Sequence, residues 1–322
     1  LSLLNLEIVQ YGYSWAKNVS DMPSFSETFL DAQEQAKKYK LNLFSGKKAG
    51  LFNYGDYKDC SLLDLKYASE NYIKYRDEYT SIWDGEKVRI RGTVAGYDGA
   101  GNTLYIQSYF TEEASEAVRG EGLGIEGGEY ASINIFTGMG GGIPAKYIEQ
   151  NAYIELCAIA QYSSNFGFQL SGVEGKFKSE GQEIKDDDVK LILSAEENQD
   201  DQKLHIFEFT SAELDTITRT DPFKCLNCAV KVTDEVTCSS ASGDYPEFTL
   251  NFSPLKFEAY VQSPYAPNPA NKFKIWQTKE NFKDHKFKIS GIFGYHQTAK
   301  NIYYQIVVIN NQTDLICTNL EA

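Results

Sequence analysis

KVRIRGTVAGY, residues 87–97, alternates apolar Val88, Ile90 and Val94 with Lys87, Arg89 and Arg91. A period of two marks a strand with one buried face. Gly92 and Gly96 let that strand bend sharply. Working outward, a DGAGN turn leads to TLYIQSYF at 103–110, and the acidic, Gly-rich stretch 111–128 reads as a loop. YASINIFTGM (130–139) is a third strand. A glycine run with Pro144 then leads into AKYIEQ (145–150), a short helix. NAYIELCAIAQY (151–162) and FGFQLSGVEGKF (166–177) read as two more strands. The order is therefore three strands, a helix, then two strands.

Upstream the period is helical. Ser24 precedes Glu27 at capping-box spacing, and Phe25, Phe29, Ala32, Ala36 and Tyr39 follow at intervals of three and four. After a Gly- and Asn-bearing loop (44–58), Ser61 and Asp64 repeat the capping pattern. Leu62, Leu65, Tyr72, Tyr75, Tyr79 and Ile82 then form a second stripe. Residues 1–22 mix apolar and polar positions and read as a strand or docked arm.

Downstream, 179–204 is an acidic linker. Its Asp186, Asp187 and Asp188 lack the alternating oxygen ligands and glycine turn of a calcium loop, and VKLIL within it reads as an edge strand. Residues 205–322 repeat the earlier order. FKCLNCAVKVT (223–233), PEFTLNFS (246–253) and FEAYVQSP (257–264) stand for the first three strands, and FKIWQTKENF (273–282) for the helix. KFKISGIFGYH (286–296) and NIYYQIVVIN (301–310) close the set. The final hairpins echo each other: Tyr162 with Phe168-Gln169-Leu170, and Tyr295 with Tyr304-Gln305-Ile306.

From WDGEKVRIRGTV through FQLSGVEGKF (83–177) the chain resembles OB-fold domains of the bacterial nucleic-acid-binding, anticodon-type superfamily, in particular those of extracytoplasmic proteins and lipoproteins. The resemblance implies a mainly β protein with minor α: two five-stranded Greek-key OB-like barrels behind an N-terminal helical segment. The expected organisation is an arm with two helices (1–82), a first barrel (83–178), the linker (179–204) and a divergent second barrel (205–322). Such barrels bind on strands two and three and the adjoining loops. The resemblance thus nominates Tyr97, Tyr105, Gln107, Tyr109, Asn134, Phe136, Tyr162, Asn165 and Phe166. The period that places these aromatics on a face also fills a barrel core, so each has a packing alternative.

Charge narrows the partner. Lys and Arg number 31 and Asp and Glu 45, a net of −14, which counts against a general phosphate-neutralising surface. The acid is uneven: residues 205–322 hold eleven basic against thirteen acidic side chains. There Lys272, Lys274, Lys279, Lys283, Lys286 and Lys288 interleave with Phe273, Trp276, Phe282 and Phe287, with Tyr295 nearby. Those are ingredients for single-stranded nucleic acid. They equally describe a solvated lysine face over inward-packed rings.

Catalytic patterns are missing. The glycines at 138–142 are not followed by the Lys-Ser/Thr of a phosphate loop, and Glu112 and Glu113 are loop charges. Cys60, Cys157 and Cys317 stand alone as buried thiols. Cys225 and Cys228 form a CxxC with Cys238 beyond, but no second pair exists, and His205, His285 and His296 are scattered. Strand-like flanks argue against a redox helix start. The reading is a non-enzymatic binding or adaptor protein, without metal or cofactor, whose partner is a protein or oligosaccharide; single-stranded nucleic acid is the alternative. The start at Leu1 reads as a processed product, extracytoplasmic, touching a membrane only through a lipid anchor outside this chain.

Overall fold

The computed structural model describes residues 4–16, 24–39, 41, 44, 57–98, 102–120, 126–137, 143, 145–163, 167–172, 189–200, 202–242, 247–253, 258–262, 282–297, 301–310 and 313–319. The protein is mainly β, with two sheets.

The first sheet comprises β1 (Lys58–Asp59), β2 (Lys87–Asp98), β3 (Thr103–Phe110), β4 (Glu129–Phe136), β5 (Tyr153–Ser163), β6 (Gly167–Ser171) and β7 (Val189–Leu193). Their order is β1-β2-β3-β4-β6-β5-β7, and β2 also pairs β5. Pairing thus runs β2-β3-β4-β6-β5 and returns to β2. A register shift between Val94 and Gly96 bends β2 where the glycines foretell it. The alternation is realised over 87–91, and from Gly92 to Asp98 every residue is buried; Val88, Ile90 and Val94 lie in the core with Leu104, Ile106, Ile133, Ile135, Ile154 and Leu170.

The second sheet comprises β8 (Phe207–Phe209), β9 (Ala229–Val232), β10 (Val236–Ser242), β11 (Glu247–Ser253), β12 (Glu258–Gln262), β13 (Lys286–Gln297), β14 (Ile302–Val308) and β15 (Leu315–Cys317). Its order is β10-β11-β12-β14-β13-β9-β8, β10 also pairs β13, and β15 lies on β13. β9 and β10 run one after the other along β13, Ala229 opposite Ile292 and Val236 opposite Phe287. Together they take the place of β2. The parallel step β4–β6 has its counterpart in β12–β14. β1 and β8 are short strands parallel to β2 and β9. β7 and β15 are antiparallel additions to β5 and β13.

Helices α1 (Leu4–Gln10), α2 (Ser26–Lys38), α3 (Leu62–Tyr75), α4 (Glu112–Arg119), α5 (Ala145–Ile148) and α6 (Ser211–Thr220) complete the fold. Among the described residues no helix is long and apolar enough to cross a membrane. Contacts group the chain into two compact units: Leu1–Asp56 with Thr111–Gly128, and Tyr57–Phe110 with Glu129–Ala322. The first contains α1, α2 and α4. The second holds both sheets with α3, α5 and α6. α3 therefore belongs with the sheets, and its Ser61–Asp64 capping box forms as the spacing foretells. α6 is capped in the same way by Thr210 and Glu213.

Four local expectations change. The arm at 1–22 contains α1, because Val9 and Leu6 pack on Phe29 and Ala32 of α2; a helical partner outweighs imperfect alternation. α2 starts one residue later than its sequence cap implies, with Phe25 at the N-cap and no side-chain cap. α3 ends at Tyr75 because Arg76 turns to φ 48°, so Tyr79 and Ile82 of the expected stripe fall outside the helix, and Tyr75 and Ile82 are exposed. The stretch 111–128 contains α4. Thr111 caps the amide of Ala114, and Glu112, Glu113 and Arg119 oppose the helix dipole with the right signs.

Candidate functional site

Outward-facing residues of β3 and β4 make up the nominated surface. Leu104 and Ile106 point inward, so Tyr105, Gln107 and Tyr109 point out; Ile133 and Ile135 likewise turn Tyr130, Ser132, Asn134 and Phe136 outward. Most of this face is in contact with the second sheet and the segment leading to it. Gln107 donates Nε2–H to the His205 carbonyl at 2.7 Å and accepts the Ala229 amide at Oε1, 3.1 Å. The Ser132 hydroxyl lies 2.6 Å from the Asn227 carbonyl and 2.6 Å from the Ile106 carbonyl; its one proton serves one at a time. Tyr105 packs with Ala95, Ala229, Ile292 and Val307 in a shared apolar cluster. At the other side of the contact Gly167 has φ 72°, and a Cβ there would sit 1.8 Å from the Tyr295 hydroxyl oxygen.

Among the nominated residues, Tyr97 and Tyr105 are thus buried, as is Gln107. Asn134 and Phe136 are half-buried, and Asn134 reaches Gln169 at 3.4 Å. Tyr162 stacks on Tyr72 with ring centroids 4.4 Å apart. Burial pushes the Tyr295 hydroxyl well above the usual phenol range. Asn165, Phe166, Phe273, Lys272, Lys274, Trp276 and Lys279 lie outside the described residues, as do the glycines at 138–142 and Asp186–Asp188. Farther on, Phe282 and Phe287 are buried in the second core, and Lys286 lies 4.0 Å from Glu235.

The CxxC is a turn before a strand, not part of one. Pro222–Lys224 is a short 3-10 helix, the Cys228 amide bonds the Cys225 carbonyl at 3.0 Å, and Asn227 takes φ 60°. Pro222 and the left-handed Asn227 break the pattern that the flanks suggest. Asn227 N–H donates to the Phe293 carbonyl and Phe293 N–H to the Cys228 carbonyl, which ties the turn to β13 of its own sheet, while the Asn227 carbonyl lies 2.6 Å from the Ser132 hydroxyl of the first sheet. All six cysteines are free thiols, so no bridge joins Cys238 to the pair. Burial pushes Cys228 up to about 12 and Cys225 higher. Both stay protonated at neutral pH and are poor nucleophiles.

At one end the β3–β4 face is open. Tyr109 is 47 % exposed there. Tyr130, His205 and Phe207 continue a row of rings from it: Tyr109–Tyr130 at 5.1 Å, Tyr130–His205 stacked at 4.4 Å, and His205–Phe207 edge-on at 4.6 Å. A cavity of about 30 Å³ opens beside them between Thr93, Gln107, Tyr109, Tyr130, Gln202 and Lys203. The sequence reading includes Tyr109 but misses its neighbours. Tyr130 is legible, since it shares a period-2 face with Asn134 and Phe136. Gln202 and Lys203 come from the linker and His205 from the residue just after it, and no local pattern assigns such a segment to a strand face. No protein-family model matches the chain, and no curated protein matches its sequence.

Replacing Gln107 with Leu removes the partner of the buried Ala229 amide and the donor to the part-buried His205 carbonyl. Gln107→Leu is expected to lower the unfolding free energy by about 2–5 kcal/mol, read by urea denaturation. Tyr109→Ala, at the open end, is expected to stay within about 0.5 kcal/mol.

Proposed function

We propose that the chain is a non-enzymatic binding or adaptor protein built on two OB-like Greek-key barrels, with a protein or glycan as ligand. One observation carries this reading: both sheets return to their first strand by the same order, first-second-third-fifth-fourth, with a parallel step between third and fifth. In the first, α5 falls between third and fourth strands, where such a barrel carries its helix. Five strands closed in this way enclose a side-chain core rather than a ligand, so binding falls to outer faces and loops. The first barrel's outer face serves mainly to hold the second, which leaves its open end as the binding surface. The buried, protonated thiols favour packing over redox chemistry. Residence outside the cytoplasm, which the resemblance implies, belongs to the same proposal.

Equilibrium binding by the full chain tests it. A glycan array and a cross-linking pull-down against extracytoplasmic proteins are run beside a titration with single-stranded oligonucleotides at low salt. The proposal expects a saturable glycan or protein ligand and no oligonucleotide binding. Oligonucleotide binding at low salt that weakens steeply as salt rises would replace it with the nucleic-acid reading.

A further inference from the structure

Tyr109, Tyr130 and His205 present a ring platform beside a polar cavity, and the two together define a ligand chemistry. Tyr109 and Tyr130 are tilted by 56°, so their ring faces form a shallow corner rather than a flat slot. The cavity, at about 30 Å³, has room for a water- or hydroxyl-sized group. Its walls are Thr93, Gln107, Tyr109 and Tyr130 of the sheet and Gln202 and Lys203 of the linker; the Thr93 hydroxyl bonds the Gln202 carbonyl and the Gln107 amide the His205 carbonyl. A ligand that lays an apolar face on the corner and sends one hydroxyl into the cavity satisfies both halves.

We propose that this composite of sheet and linker binds a pyranose ring of an uncharged glycan, stacked on Tyr109, with one sugar hydroxyl in the Gln107–Lys203 cavity. A pyranose has C–H groups on its faces and hydroxyls on its rim, which matches an aromatic corner edged by polar groups. Charge discriminates against a polyphosphate strand. Lys203 is the one cation among the described cavity walls, and the linker that supplies it is acidic at Glu196, Glu197 and Asp200. Burial holds His205 below the usual imidazole range, so at neutral pH it offers a ring and not a second cation.

The inference rests on the binding function proposed above, and its test separates the two. The full chain is titrated by saturation-transfer NMR and calorimetry with cellohexaose, xylohexaose, mannohexaose and maltohexaose, and with a ten-nucleotide oligo-dT strand. At least one hexaose is expected to bind, with transfer from Tyr109 ring protons. Tyr109→Ala should weaken it about tenfold or more, and Lys203→Ala several-fold, at unchanged thermal midpoint. Tyr303→Ala, at an exposed ring on the second sheet, should leave affinity within about twofold. Hexaose binding untouched by Tyr109→Ala overturns this site and leaves the binding-protein reading standing. No hexaose binding overturns the sugar assignment, and the pull-down then decides the wider reading. Oligo-dT binding that Tyr109→Ala abolishes overturns both.

Discussion

Gly291→Ala is expected to be the most damaging single methyl addition within the second sheet. Gly291 lies on β13 at φ 153°, and a Cβ there would stand 2.3 Å from the Val307 carbonyl oxygen and 3.0 Å from Ile306 Cγ2. The obstructing atom is backbone of the paired strand, which cannot swing aside as a side-chain tip can. Relief requires β13 and β14 to part just where Ile292 pairs with Val307. The loss spreads further, because the next residues of β13 receive the Asn227 and Ala229 segment. Dihedral strain of about 1–3 kcal/mol and the disrupted ladder together give an expected loss of about 3 kcal/mol or more. Gly294→Ala is the internal control. Its Cβ would meet Val307 Cγ2 at 3.4 Å, an ordinary contact, and the change should stay within about 1 kcal/mol. Urea denaturation of both variants checks the pair; equal losses would show that glycine flexibility alone, not the approach of Val307, sets the effect.

Lys66→Met is expected to cost about 3–5 kcal/mol. Lys66 is 3 % exposed on α3 and reaches across to β4, with Nζ 2.8 Å from Glu129 Oε2 and 2.8 Å from the Tyr130 carbonyl oxygen; Glu70 lies one helical turn on at 4.0 Å. Removing the ammonium leaves Glu129, whose side chain is 15 % exposed, and the Tyr130 carbonyl without that donor. Methionine keeps the volume, so the loss reports the charge and not a cavity. Adding Glu129→Gln removes the stranded charge and should return about 1 kcal/mol or more, measured as a double-mutant cycle. A cycle with no coupling would show that Glu129 is solvated and that α3 is held by its apolar side alone. That side is extensive, with Leu62, Leu63, Leu65 and Tyr72 all buried.

The two variants probe what the sequence announces and what it hides. The bend of β2, the alternation of 87–91, the capping box at Ser61 and the short helix at 145–148 are local signals, and each appears where its residues place it. The parallel pairing of third and fifth strands is non-local, but the order of elements implies it. Contacts that hold one sheet against the other are different. Gln107 looks like a solvent-facing polar residue on an alternating strand, and only folding shows that its amide closes on His205 and Ala229. Tyr105 follows the period of ligand-facing aromatics and is buried, because a period of two distinguishes inside from outside of a strand, not water from a neighbouring sheet; Tyr97, paired with Leu104 past the bulge, falls on the inner face of its own sheet. The CxxC misleads for a related reason. Its apolar flanks match a strand, while Pro222 and Asn227 set a turn that bonds β13 of its own sheet and turns the Asn227 carbonyl to Ser132 of the other.

Amide hydrogen exchange at Ala229 tests most directly the claim that the β3–β4 face is the seat of the second sheet. That amide donates to a side chain, Gln107 Oε1, and so reports the junction rather than a ladder. Strong protection at Ala229 in the intact chain, lost in Gln107→Leu while the Ile106 amide on β3 stays protected, is the predicted result. An Ala229 amide that exchanges at the rate of an unstructured peptide would contradict the account and return that face to solvent and to ligands.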